Sequence, residues 1–258
     1  MSLSFKKLSH FRFKLRFKVF FFLIFYSVFF YYLRSNDTYN YRLLKASIDS
    51  IPWLYAAISQ IFGVLAAFVI QKEWQQWDDL VDAVKGENNA LYEMWLWSGQ
   101  FQTDYPIRDL IKQYLNIIIN EGWDKTEKGE VSPELDKVIN SLHEGMAEIA
   151  RLHPAMSSAV FSLISDLGAC RERRIRFGSS HMPLILLQAF RLATCLMVFL
   201  CPLIVIKDYQ LHFLFSASIS LLSYTIYIVA RDMDHPLQPG GWHLTTKDYK
   251  KLLDKLEQ

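Results

Sequence analysis

The sequence lacks most of the features that mark a catalytic or nucleic-acid-binding protein. Its formal net charge is only +2, which argues against a general nucleic-acid binder. Three cysteines are too few for a disulfide framework and are expected to be small buried residues. There is no glycine-rich phosphate loop, no internal repeat and no strand pattern of consequence. The predicted fold class is therefore all-α.

Signatures of catalysis or metal binding are equally scarce. His143 has no second histidine at ligand spacing, so an ordinary surface or core role is favoured for it. No Ser/His/Asp or Cys/His arrangement stands out. Asp232 and Asp234 could join a cation site, but two carboxylates are too few for calcium unless backbone carbonyls contribute. We therefore expect that the protein is not an enzyme and has no cofactor. We also expect no metal site, with Asp232 and Asp234 as the one alternative.

Long apolar runs are what the sequence has in abundance. Hydrophobic residues make up 52% of the chain and aromatic residues 15%, and they are concentrated in a few segments. About 20 mainly apolar residues cross a hydrocarbon core of about 30 Å as a helix. A first run, 19–33, is shorter, but Lys18 and Arg34 can extend their charged ends to the interface. The sequence predicts four transmembrane segments: 19–33, 51–70, 184–206 and 211–230.

The first run also has some features of a cleaved targeting peptide. Its start is basic and free of acids, as in a signal or transit peptide. It ends in Tyr31-Tyr32-Leu33-Arg34, without a small-residue cleavage pattern. A retained membrane anchor is therefore favoured.

Lysine and arginine counts indicate the orientation. Six precede the first run and five follow Ala230, whereas the loop between the first two spans holds three. By the positive-inside rule both termini are cytoplasmic. The predicted organisation is a basic cytosolic N-terminus (1–18), a first span (19–33), an external loop (34–50), a second span (51–70) continuing as a cytosolic helix to about residue 98, a cytosolic helical domain (71–183), a third span (184–206), a fourth span (211–230) and a cytosolic C-terminal tail (231–258).

Helical periodicity continues through the cytosolic segments. Asp104 is expected to cap a helix with Pro106 in its first turn, and a polar loop is predicted over Glu121–Val131. Further helices are predicted from Pro133, from beyond Pro154 to about Phe177, and over Lys247–Glu257. Four arginines end the third of these cytosolic helices: Arg171, Arg173, Arg174 and Arg176. They form either a solvated basic flank or contacts with lipid headgroups or acids of the block.

The second span carries two distinct stripes. One is bulky and apolar: Leu54, Ile58, Phe62, Leu65 and Val69. The other is small or polar: Ala56, Ser59, Gln60, Gly63 and Ala67. A lipid-facing helix needs neither, so protein should enclose this helix, either on two packing faces or with one face on a water path.

Arg191 is the unusual residue of the third span. It lies in the cytoplasmic half of an otherwise apolar run. It can snorkel to the interface, pair with an acid or line an anion path.

A series of short motifs runs from about Ile51 to the C-terminus. They are Phe62-Gly63 followed by Trp74, Ala83-x-x-x-Glu87-x-x-Ala90-Leu91-Tyr92, Pro106 with Ile107–Tyr114, Glu121-Gly122-Trp123, Arg173-Arg174, Met182-Pro183 and Asp234-x-Pro236 followed by Gly240. Their order resembles the bestrophin-like membrane proteins, which are mostly bacterial and distantly similar to the bestrophin channels. Two features depart from the pattern: Arg191 replaces an apolar residue, and Asp232 with Asp234 poorly replaces the calcium-binding acidic cluster of animal bestrophins.

The resemblance implies a pentamer around a pore lined by the second span. Bestrophins have a neck of bulky apolar side chains about one turn apart, which Ile58 and Phe62 match best, with Leu54, Leu65 and Val69 as outer candidates. The polar intramembrane residues are Ser59, Gln60 and Arg191. Bestrophin relatives include anion and cation channels, so either an anion or a monovalent cation fits.

These observations predict an oligomeric ion channel in a bacterial inner membrane or a plasma membrane. Its expected partners are the lipid bilayer, further copies of itself and monatomic ions, without nucleic acid. The alternative is a non-conducting membrane scaffold that recruits a partner through its cytosolic helices.

Overall fold

A computed structural model describes residues 2–35, 51–101, 103–204, 206, 208–238 and 240–257. Within these residues the fold is all-helical, as predicted, with no strand. Most of the predicted external loop, 34–50, lies outside the described residues. The α-helices are α1 (Ser2–Ser35), α2 (Ile51–Gln100), α3 (Ile107–Ile117), α4 (Trp123–Glu127), α5 (Pro133–Leu152), α6 (Ser157–Ser179), α7 (Leu184–Leu200), α8 (Tyr209–Met233) and α9 (Lys247–Leu256).

Four helical segments among the described residues are long and apolar enough to cross a membrane. They are Phe17–Ser35, Pro52–Gln100, Leu184–Leu203 and Tyr209–Met233. The regular helix of α7 ends at Leu200 and a 3₁₀ turn follows, because Pro202 lacks the N–H that would continue the ladder. The number of spans agrees with the sequence, while the ends of each span in the bilayer stay a prediction.

The described residues form two compact units. The first unit contains the described parts of Met1–Trp74, His181–His235 and Pro239–Trp242. One cluster in it joins α2, α7 and α8 through Phe62, Val69, Phe190 and Ala230. A second cluster joins α1, α7 and α8 around the rings of Tyr26 and Phe30.

Hydroxyl groups line one face of α8 in this unit. Ser216, Ser220 and Ser223 are buried. The Ser216 hydroxyl donates to the His212 carbonyl at 2.7 Å, and Thr225 donates to the Leu221 carbonyl at 2.8 Å. Bonds to the preceding turn satisfy the hydroxyls of Ser216 and Thr225 inside the helix, so small polar residues can lie at a helix–helix contact.

The second unit contains the described parts of Gln75–Ser180, Pro236–Gln238 and His243–Gln258. Its core comes from the later part of α2 together with α3, α5, α6 and α9. Apolar residues at three- and four-residue spacing provide it, and Leu91, Ile111, Leu142 and Leu167 are fully buried. The periodicity seen in the sequence is therefore the periodicity of a real core.

Two local expectations in this unit are wrong. The first part of the predicted loop Glu121–Val131 is helical, because a π-helical turn, Ile118–Gly122, continues into α4, and the chain leaves the helix only from Lys128. Helical structure persists because the Trp123 ring packs in the core and its indole N–H donates to the Leu244 carbonyl at 2.9 Å. Asp104 does not cap α3, since that helix begins at Ile107 after Pro106 and has no side-chain cap.

Candidate functional site

The first twenty residues of α2 have one face inside the first unit and one face on its surface. Phe62, Ala66 and Val69 are buried against α7 and α8. The Phe62 ring stacks on Phe190, with centroids 5.8 Å apart and an interplanar angle of 8°. This contact fixes the rotation of α2 within the protomer.

The five predicted neck residues do not share one open surface. Leu54 is 58% exposed, whereas Ile58 and Leu65 are half-buried at the edge of the helix contact. Phe62 and Val69 belong to the core of the protomer. The neck assignment stays a prediction, and the last two residues would have to leave this core to reach a pore.

The small and polar stripe of α2 lies largely on the open face. Ala56, Gln60, Gly63 and Ala67 are all exposed. A Cβ atom added at Gly63 would meet nothing within 4 Å. Ser59 differs from the rest of the stripe, since it is half-buried and donates to the Tyr55 carbonyl at 2.7 Å.

Large apolar residues flank this stripe on the same open face. Ile61 is 66% exposed, Val64 74% and Phe68 59%. Gln60 and Val64 are one turn apart and so share a line along the helix. The open face therefore combines bulky apolar groups, small residues and an amide.

Arg191 lies on the surface of α7 and lines a cavity of about 730 Å³ among α1, α7 and α8. Arg231, Gln188, Tyr224 and Tyr227 line the same cavity. No salt bridge to Arg191 is found in the part of the chain that the structure describes. The arrangement leaves the snorkelling and anion-path hypotheses open and gives no support to an ion pair.

Asp232 and Asp234 serve different segments. The Asp232 carboxylate accepts the N–H groups of Gly241 and Trp242 at 2.7 and 3.3 Å, which orders the chain after α8. Asp234 is buried and its carboxylate accepts the Met182 N–H at 2.5 Å. The two aspartates therefore stabilise separate turns.

The second unit encloses a charged network that sequence reasoning missed. Glu87 and Arg174 are 0% and 1% exposed, and their closest atoms are 2.7 Å apart. Glu87 also accepts the hydroxyls of Tyr114 and Tyr249, while Arg174 donates to Thr126 at 2.6 Å. Burial, reinforced by the Glu87 charge, holds the pKa of both tyrosines well above their usual range. The sequence signal for this network was a charged residue at an apolar position of each of two helices. Both residues, Glu87 and Arg174, occur in the motifs that carry the family resemblance.

Arg171 and Arg174 resolve part of the question about the arginines that end α6. Arg171 pairs with Asp136 of α5, and Arg174 pairs with Glu87 of α2. Burial opposes the charged form of Arg174, but the Glu87 carboxylate outweighs it and keeps the pKa of Arg174 above its usual range. These two arginines contact acids of the block rather than forming a solvated flank.

Comparison with known proteins agrees with this architecture. A family model described as a bestrophin-like domain matches residues 20–239. The fold is similar to crystal structures of two variants of a bacterial bestrophin homolog from Klebsiella pneumoniae. The first has a TM-score of 0.73 at 10% sequence identity, and the match covers 93% of this chain and 100% of that chain. The second has a TM-score of 0.63 at 11% sequence identity, and the match covers 86% of this chain and 100% of that chain. A variant described only as a membrane protein gives 0.72 at 10% identity, covering 93% of this chain and 99% of that one. No curated protein matches the sequence.

Proposed function

The chain belongs to the bestrophin-like family, and from this premise we propose that it is an oligomeric ion channel whose path runs along the open face of α2. The observation that carries the proposal is the exposure of Gln60, Gly63 and Ala67 beside large apolar residues. An amide in the hydrocarbon core needs a polar partner or water, and small residues suit close helix contacts. A ring of protomers would supply a polar partner or water for the amide and a close helix contact for the small residues.

A pentamer is the assembly that the family resemblance favours. In a ring, α2 of each protomer would face the axis with the surface that its own protomer leaves open. Bulky apolar residues there would form a constriction that opens and closes by wetting and dewetting, while polar groups elsewhere would select the sign of the ion. Catalytic residues have no place in this mechanism.

The burial of Phe62 supports a constriction on the neighbouring open face, at Ile61 and Val64. These side chains are largely exposed, whereas Phe62 is 5% exposed and packed on Phe190. Ile58, at the edge of the contact, and Leu54, already exposed, could contribute to the outer end of the same path. In this proposal both termini lie in the cytoplasm, as the positive-inside rule predicts.

Reconstitution into planar bilayers tests the proposal. Under chloride and sodium gradients we expect single-channel currents, and the reversal potential would give the sign of the permeant ion. Replacing Ile61 and Val64 together by alanine should raise the basal open probability, because a wider, less apolar ring wets more readily.

The matched control is a double alanine variant at Ile58 and Phe62. We expect this variant to lower protein stability through the lost contact with Phe190, with a smaller effect on open probability. An increase in current confined to the Ile58 and Phe62 variant would place the constriction at the sequence-predicted neck instead. The absence of any current in a correctly assembled protein would favour the non-conducting scaffold.

A further inference from the structure

A compact group of ligand-type side chains lies in the first unit, apart from the open face of α2. His181 comes from the segment before α7, and Asp234 with His235 comes from the end of α8. Each offers one nitrogen or oxygen atom, and these three atoms lie within 4.8 Å of one another. The imidazole centroids are 4.7 Å apart, and His235 Nε2 is 3.7 Å from Asp234 Oδ2.

A backbone contact fixes the orientation of His181. Its Nδ1 lies 3.0 Å from the Asp234 carbonyl oxygen. A carbonyl can only accept a hydrogen bond, so in this contact Nδ1 carries the proton and Nε2 carries the lone pair. A histidine held in this way by a carbonyl has the arrangement that orients metal-binding imidazoles in proteins.

Glu73 provides an independent indication that a cation belongs here. Its side chain is 1% exposed, and neither carboxylate oxygen has a hydrogen-bond partner among the described residues. The charges of Asp234 and His181 both act on the Glu73 carboxyl, so Glu73 lies within electrostatic range of the group. A buried carboxylate without donors is costly, and the neighbouring Asp234 adds repulsion. A bound cation would remove both penalties.

We propose that Glu73, His181, Asp234 and His235 bind one divalent transition-metal ion of the Zn²⁺ type. Two imidazoles and two carboxylates form a donor set that suits Zn²⁺, with metal–ligand bonds of about 2.0–2.1 Å and ligand atoms about 3.3 Å apart in a tetrahedron. The ligand atoms of His181, Asp234 and His235, which lie within 4.8 Å of one another, need only small side-chain movements to reach this geometry, and Glu73 would have to approach them as the fourth ligand. Calcium is a poor match, because it requires six to eight oxygen ligands.

The site would join three segments of the first unit that are distant in sequence. Glu73 follows the predicted membrane segment of α2, His181 precedes α7, and the other two ligands end α8. Metal binding would therefore stabilise the fold by favouring the state in which these segments are together. This inference does not depend on ion conduction.

Calorimetric titration of the full chain in detergent, after chelator treatment, tests the proposal. With Zn²⁺ as the probe we expect saturable binding of one ion per protomer, and with Ca²⁺ no comparable binding. Substitutions His181→Gln and Glu73→Gln should each weaken Zn²⁺ binding by at least about 10-fold, the lower end of the effect of losing even an outer partner of a metal site. His143→Gln, a histidine outside the cluster, should bind Zn²⁺ like the unaltered chain.

The Glu73→Gln variant also separates metal ligation from ordinary packing. Without metal it should melt at the same or a higher temperature, because the amide places no charge in this buried position. The rise in melting temperature that Zn²⁺ gives the unaltered chain should be lost. An unchanged Zn²⁺ affinity in both ligand variants, no saturable Zn²⁺ binding, or tighter binding of Ca²⁺ would overturn the proposal.

Discussion

Glu87 is the centre of the buried hydrogen-bond network of the second unit. It accepts bonds from Arg174 and from two tyrosine hydroxyls while remaining fully buried. Burying a charge is costly unless a counter-charge and hydrogen bonds compensate it, and here both are present. The network therefore links the helices that carry these side chains, α2, α3, α6 and α9.

Arg174→Met should destabilise the protein by about 3–5 kcal/mol, because it leaves the Glu87 charge buried without its counter-charge. The double substitution Glu87→Gln with Arg174→Met should be less destabilising than Arg174→Met alone, since no uncompensated charge remains. Denaturant unfolding in detergent, followed by tryptophan fluorescence, measures both. Equal losses in the single and double variants would contradict the role given to the charge pair.

Sequence alone pointed to these residues without pairing them. Glu87 and Arg174 stood in the patterns behind the family resemblance, but they are separated by 87 positions. Which of the four arginines pairs with which acid depends on how the helices pack against one another. Helical periodicity indicates which face of a helix is buried but not which residues of other helices lie near it. The same holds for Glu73 and His181, whose proximity no local pattern indicates.

At the scale of elements, α2 has two faces with different partners. Its bulky face packs on α7 through Phe62, and its small and polar face is open. The sequence identified both stripes, and the family resemblance matched the bulky one to a pore neck, which stays a prediction. Either stripe can pack in a bundle, so only the positions of neighbouring helices decide which face is buried.

Gly63→Leu should leave the protomer folded but disrupt assembly. A Cβ atom at Gly63 meets nothing within 4 Å in the protomer, and leucine favours helix more than glycine does. A bulky side chain on the small stripe would separate helices that approach closely in a ring. Native mass spectrometry for assembly and thermal melting for stability measure the two effects.

Phe62→Ala, one position away, is the matched control and should give the opposite result. It should cost roughly 2 kcal/mol, the cavity term for about 100 Å³ of lost side chain, since lipid is as apolar as the core it leaves. Assembly of the folded fraction should persist. If Gly63→Leu assembles normally, the open face of α2 is not a contact or pore surface.

Other elements followed more directly from the sequence. Amphipathic spacing predicted α3, α5, α6 and α9, because a core-facing stripe repeats at the helical period whatever it packs against. The segment after Glu121 was predicted as a loop because its composition is polar. Its start is helical instead, because Trp123 is buried in the core and holds the chain there.

In the molecule as a whole, the proposed function depends on association of identical chains. The first unit leaves Gln60 and a row of small residues open on a helix predicted to cross the membrane. Among the described residues no hydrogen bond to the Gln60 amide is found, whereas a closed ring could provide a polar partner or a water path. The family resemblance implies five subunits, and this number stays a prediction.

The most direct measurement is the number of subunits in the purified protein in detergent, by native mass spectrometry. We expect the unaltered chain to form a pentamer and the Gly63→Leu variant to lose it. A monomer or dimer as the largest stable species would remove the central path and contradict the proposed channel.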